Sequence, residues 1–132
     1  MDNPIVLIVI LNFRTPQMTL EAAAAALREM DGIDGEIVIV ENGSGDSSLA
    51  VIDAGIAAAG WDRSRVTLVK SERNGGFGAG NNIGIRHGLS DGRTPDFVFL
   101  LNSDAQPEPG AIRALLEHLA ARPQVGIAGS YL

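Results

Sequence analysis

Four short apolar runs punctuate this chain, and each leads through a polar loop into a segment with helical spacing. The first, Ile5-Val6-Leu7-Ile8-Val9-Ile10-Leu11, is continuous and largely β-branched, as expected of a strand covered on both faces. The others are 36–40, 66–70 and 97–101. Between and after them the spacing predicts helices over 17–30, 49–59, 79–89 and 109–121. Thr15-Pro16 opens the first and Asp31-Gly32 closes it. Leu20, Ala23, Ala24, Leu27 and Met30 form its apolar stripe, and Ile112, Leu115, Leu116 and Leu119 form that of the last. The segment 125–128 reads as the start of a fifth strand. Alternation of this kind predicts an α/β fold, a mostly parallel sheet with helices on both faces. At 132 residues, with no linker or low-complexity tract, the chain is expected to be one domain, 1–132.

Charge and residue types narrow the chemistry. Ten Lys and Arg against sixteen Asp and Glu give a net charge of −6, which excludes nucleic-acid binding driven by phosphate neutralisation. A phosphorylated ligand would need backbone amides, a helix start or a metal. The chain has no cysteine, hence no disulfide, zinc-thiolate site or thiol nucleophile. The run from Ile5 to Leu11 is about a third of the roughly 20 residues a membrane helix needs. No transmembrane segment is expected. The start, Met1-Asp2-Asn3-Pro4, is acidic and unlike a signal peptide, so a cytoplasmic location is the expectation.

In open parallel sheets ligands sit beyond the carboxyl ends of the strands. The loops leaving the predicted strands carry Asn12 and Arg14, then Glu41 and Asn42, then Asn74 through Asn82, then Asn102, Ser103 and Asp104. The entering loops, 31–35, 60–64, 90–95 and 122–124, are short turn or solvated sequences. The functional edge is thus expected to be the carboxyl edge. Asp104, just past a buried strand, is a candidate ligand for Mg²⁺ or Mn²⁺ whose shell substrate phosphates complete; a helix cap or simple turn is the alternative. Asn74-Gly75-Gly76-Phe77-Gly78-Ala79-Gly80-Asn81-Asn82 suits either an anion at a helix start or close helix packing. It is not a P-loop, because Asn81-Asn82 stands where Lys-Ser/Thr is needed, and it lacks the dinucleotide glycine spacing. That argues against a dinucleotide enzyme. Glu41 can accept hydrogen bonds from a base or ribose, while Asp46 or Ser47 can cap the next helix. His87 and His118 read as surface or helix-end residues, Arg113 and Glu117 as a solvated helix pair, and Trp61 as a packing residue.

In series, four segments resemble family 2 glycosyltransferases, in particular the rhamnosyltransferase-like branch with a GT-A (Rossmann-like) fold. They are Val9-Ile10-Leu11-Asn12-Phe13, Val40-Glu41-Asn42-Gly43-Ser44 through Asp46, Asn74-Gly75-Gly76-Phe77-Gly78 through Asn82-Ile83-Gly84-Ile85, and Leu100-Leu101-Asn102-Ser103-Asp104. The resemblance implies that Asn12 and Arg14 border the nucleotide and that Glu41 contacts base or ribose. It implies that the Asn74 to Asn82 loop, with Gly76, Phe77, Asn81 and Asn82, closes over it, and that Asn42 also belongs to the nucleotide-sugar site. Asn102-Ser103-Asp104 then stands at the family's D-x-D motif, with Asp104 on the metal. Glu41 replaces the usual Asp, and Asn102 replaces the first Asp of D-x-D.

It further implies a UDP- or dTDP-sugar donor, a divalent cation, a glycan or lipid-linked acceptor, and inversion. The chain corresponds to the family's donor-binding half, shortened relative to the full fold. No general base is recognised after Asp104, Glu108 and Glu117 being assigned to a helix. A non-catalytic nucleotide-binding or assembly module of the same fold is the alternative. Peripheral membrane association and homo-oligomerisation through an exposed sheet edge are further expectations.

Overall fold

The apolar runs form a four-stranded, all-parallel sheet of β1 (Ile5–Asn12), β2 (Asp34–Asn42), β3 (Val66–Ser71) and β4 (Phe97–Asn102), in the order β3-β2-β1-β4. The helices are α1 (Pro16–Glu29), α2 (Ser48–Ala59), α3 (Phe77–His87) and α4 (Ala111–Ala121). The computed structural model describes residues 3–130. In β1, Val6 through Ile10 are fully buried, as a continuous apolar run on a central strand requires.

Topology places the helices. The chain steps from β1 to β2 to β3 in one direction, and right-handed crossovers put α1 and α2 on one face. It then returns past β1 to form β4, and the same handedness puts α3 on the other face. Val6, Ile8, Ile10, Ile37 and Ile39 pack against Ala22, Ala23, Ala26, Ile52, Ile56, Ile112 and Leu116. Leu7, Val9, Val38 and Val40 meet the α3 side with Leu89 and Ile83. The expected α/β architecture, with helices on both faces, is therefore observed. Trp61 packs partly buried against the first of these clusters, as expected.

Three expectations need correction. The segment 125–128 carries no strand: it has no ladder partner, and Ile127 is 92% exposed. Helix α4 begins at Ala111 rather than 109, because Pro109-Gly110 forms a turn from Glu108 to Ala111, with Gly110 at φ 82° and ψ −3°. Those angles fit the third position of a type II turn, where Pro-Gly is favoured. Arg113 does not pair with Glu117; its guanidinium reaches the Asp31 carbonyl at 3.4 Å. No helix among the described residues is long and apolar enough to cross a membrane.

Candidate functional site at the carboxyl edge

Strand register brings the four exit loops level. Asn12 lies beside Glu41 and Glu41 beside Lys70, while Leu11 lies beside Asn102 and Asn42 beside Ser71. Strand order reverses between β1 and β4, the place where open α/β sheets leave a crevice for ligands. Arg14 and Asp104 leave the two strands that flank it, and both are exposed.

Side-chain hydrogen bonds tie the loops together. Thr15 Oγ1 and Ser103 Oγ are 3.1 Å apart, joining the β1 and β4 loops. The Arg14 amide donates to Ser44 Oγ at 2.9 Å, and its Nε donates to the Ser44 carbonyl at 3.1 Å, joining the β1 and β2 loops. Asn42 Nδ2 donates to Asn74 Oδ1 at 3.0 Å and to the Gly76 carbonyl at 3.4 Å, joining the β2 and β3 loops. Gly43, at φ 65°, sets its backbone so near Arg73 and Asn74 that a Cβ would fall 2.4 Å from them. Only glycine fits there.

The predicted contact residues divide into two groups. Asn12 is fully buried; its Oδ1 accepts from Thr19 Oγ1 at 2.7 Å and its Nδ2 donates to Glu41 Oε1 at 3.3 Å. Glu41 is 4% exposed and also accepts from the Ser44 amide at 3.2 Å and from the Ser44 hydroxyl. Asn42 and Asn81 are buried as well, Asn81 Nδ2 donating to the Phe77 carbonyl one turn back. These four are buried at the edge and tie its loops together through their hydrogen bonds. Arg14, Asn74, Gly76, Phe77, Asn82, Asn102 and Asp104 are exposed, Phe77 at 59%, and Ser103 is half-buried.

The glycine-rich segment also divides. Helix α3 starts at Phe77, two residues before the expected position, so much of the segment is helix. A Cβ on Gly80 would sit 2.5 Å from Leu11 Cδ1, and one on Gly84 would sit 2.6 Å from Val9 Cγ1. These two glycines let α3 lie close on β1 and β2. Gly76, with open space around it, faces outward.

Asn102 to Ala105 is a turn closed by a 3.1 Å amide–carbonyl bond, with Asp104 inside it. No group of three His, Cys, Asp or Glu that would hold a resident metal occurs among the described residues. One exposed carboxylate fits the other case, a hard cation held largely by ligand phosphates and water. Asp46 Oδ1 accepts from the Ser48 amide at 2.8 Å, as a helix-start residue should. Its carboxyl is held below the usual range chiefly by Ser48 and less by the Arg14 guanidinium. His87 is exposed at the end of α3, and His118 lies 3.1 Å from Arg122 Nη1.

Sequence reasoning missed Thr15, Thr19 and Ser44 as site residues. Thr19 carried a signal: it is the polar member of the buried stripe Thr19, Ala22, Ala23 and Ala26. A cavity of about 540 Å³ lies at the opposite end near Ile33 and Arg113, and one of about 510 Å³ lies beside β4.

The fold is shared with a mannosyltransferase from Pyrobaculum calidifontis solved with GDP-Man and Mn²⁺: TM-score 0.77 at 20% identity, over 94% of this chain and 34% of that one. The chain thus spans about a third of that protein's length. No match is found among curated proteins. The model of glycosyl transferase family 2 matches residues 6–132, and the chain belongs to that family.

Proposed function

We propose that this chain is the donor-binding part of a glycosyltransferase that takes a sugar from a UDP- or dTDP-sugar, as in the rhamnosyltransferase-like branch, and passes it with inversion to a glycan or lipid-linked acceptor. The carrying observation is the linkage of four exit loops at the strand-order reversal, which presents Arg14 and Asp104 from its two sides. Arg14 supplies a planar cation suited to phosphate oxygens. Asp104, with Asn102 beside it, would hold Mg²⁺ or Mn²⁺ against the donor diphosphate. Such a cation, when bound, stabilises charge on the departing diphosphate. Asn74, Gly76, Phe77 and Asn82 border the same space from the β3 side. The mannosyltransferase of like fold binds GDP-Man and Mn²⁺, which supports a nucleotide-sugar donor and adds GDP to the nucleotides worth testing. We place the protein in the cytoplasm, peripheral to the membrane where the acceptor is lipid-linked.

A module that binds nucleotide without turnover is the second reading. Glu41, the carboxylate at the end of β2, is occupied by Asn12 and Ser44, so it does not serve as the base that deprotonates an acceptor hydroxyl. Calorimetric titration with UDP, dTDP and GDP, with and without Mn²⁺, tests donor binding. Metal-enhanced binding that Asp104→Ala abolishes is the expected result. Binding indifferent to both metal and Asp104→Ala counts against the assignment. Sustained sugar transfer by the 132-residue chain rejects the second reading.

A further inference from the structure

Thr15 is the N-cap of α1, yet its side chain makes no capping bond. A threonine there ordinarily accepts an amide of the first helical turn. Its Oγ1 instead lies 3.1 Å from Ser103 Oγ, 88 positions along the chain, in a bond that either hydroxyl can donate. The main chain around Thr15 is well held. Its carbonyl accepts the Thr19 amide at 2.9 Å, and the Arg14 amide just before it donates to Ser44 Oγ at 2.9 Å. Arg14 has a backbone φ of 59°, a left-handed corner uncommon for non-glycine residues, and the Ser44 bond pins that corner. On the other side of the bond, burial alternates through the turn. Asn102 and Asp104 are exposed, whereas Ser103 and Ala105 are half-buried. Ala105 packs against the core on the α1 side, and its amide closes the turn on the Asn102 carbonyl at 3.1 Å. Asp104 thus stands between two restrained neighbours, one held by packing and the other by Thr15.

We infer that Thr15 is a positioning residue: through Ser103 it holds the Asn102–Ala105 turn and so fixes where Asp104 presents its carboxylate to the cation on the donor diphosphate. The inference rests on the donor-binding reading above. Among the described residues no three His, Asp or Glu side chains cluster into a resident metal site. A displaced Asp104 would therefore not be made good by a set of other protein ligands. A carboxylate on a loose turn would also lose backbone freedom on binding, a loss already taken in a pinned one. Groups behind a metal ligand act in this way, by orienting it. The bond also crosses from the β1 loop to the β4 loop, where strand order reverses, so it sets the spacing of the two rims of the site.

The test reads the gain in affinity that the metal gives. Wild type, Thr15→Val, Thr15→Ser, Ser103→Ala and the Thr15→Val/Ser103→Ala double variant are titrated calorimetrically with UDP, dTDP and GDP, each with and without Mn²⁺. The quantity compared is the ratio of the two affinities. Thr15→Val and Ser103→Ala are expected to shrink that ratio about fivefold, the worth of one hydrogen bond. The double variant should lose no more than either single one. Thr15→Ser, which keeps the hydroxyl, should keep the wild-type ratio. Hydrogen exchange of the Ala105 amide, read without nucleotide or metal, should accelerate in Thr15→Val and Ser103→Ala and not in Thr15→Ser. Should Thr15→Val fail to fold, Ser103→Ala carries the comparison. Equal loss with and without Mn²⁺ overturns the inference, as does a double variant in which the two losses add. If wild type gains from Mn²⁺ and the single variants gain as much, only the inference falls. If wild type binds none of the three, or binds them with no gain from Mn²⁺, the metal-dependent donor reading falls and takes the role of Thr15 with it.

Discussion

Glu36 shows how much a single buried carboxylate can be asked to hold. It lies on the α3 side of β2, 5% exposed, and its Oε2 accepts the Ser90 amide at 2.8 Å, tying the loop after α3 to the sheet. Its Oε1 is buried without a partner. Glu36→Ala is therefore expected to destabilise by about 1–3 kcal/mol, since it removes a charge-assisted bond and leaves an amide to find water. Glu36→Gln keeps an acceptor for Ser90 and should cost less than the alanine change. Urea denaturation of the three proteins checks the order; an alanine variant as stable as wild type would refute it.

Helix α3 carries three glycines, of which the sequence alone cannot tell Gly78 from Gly84. Gly84 faces Val9 and Val40 at distances a methyl group cannot occupy, whereas nothing lies within 4 Å of a Cβ on Gly78. Gly84→Ala is expected to destabilise by about 1–3 kcal/mol through overpacking, despite the better helix propensity of alanine. Gly78→Ala should stabilise by about 0.4–1 kcal/mol by restricting the unfolded chain. Thermal melts of the pair should move in opposite directions. A second contact links the loop before β4 to the start of β2. Arg93 Nη1 lies 2.7 Å from Asp34 and its Nε 2.6 Å from Asp91. Arg93 hydrogen bonds lower the pKa of Asp34, through the side chain first, and that of Asp91, through the backbone amide first. Lowered carboxyl pKa values stabilise above the unfolded value and lose that contribution as pH falls through the folded one. The effect thus belongs below about pH 4. It is small, because all three groups are largely in solvent. Arg93→Ala should make stability fall less steeply from pH 4 to pH 2 in denaturant titrations. An unchanged slope would show that the contact contributes nothing.

At the scale of the molecule, no strand pairs with the outer side of β4 among the described residues, and its α3-side residues lie beyond the helix that covers β1 and β2. Val98 and Leu100 are 41% and 49% exposed, and Ile85 of α3 is 37% exposed beside them. An uncapped parallel edge with exposed apolar side chains invites pairing. The 132-residue chain is expected to self-associate with rising concentration, and Leu100→Lys should suppress this without lowering the melting temperature. Light scattering across a concentration series decides it; a wild-type chain that stays monomeric throughout removes the expectation.

Local composition settled the elements here, because a β-branched run such as Ile5–Leu11 and the Ala-Leu spacing after Pro16 each favour one backbone geometry by contacts within a few residues. It also singled out the strand ends as the candidate site, since exit and entry loops differ in residue type. It could not say which way Glu41 turns. That depends on Asn12, brought alongside by parallel pairing across 29 residues of sequence, and on Ser44 curling back to meet it. Nor could it separate Gly80 and Gly84, pressed on the sheet, from Gly76, open to solvent, because only the docking of α3 creates that difference. Helix α4 and the segment 125–128 show the same division. A Pro-Gly turn overrode a helix-start signal, and the apolar segment 125–128 lies beside β4 without joining its ladder. Backbone preference is local and readable along a chain, whereas burial and partnership arise only when distant segments meet.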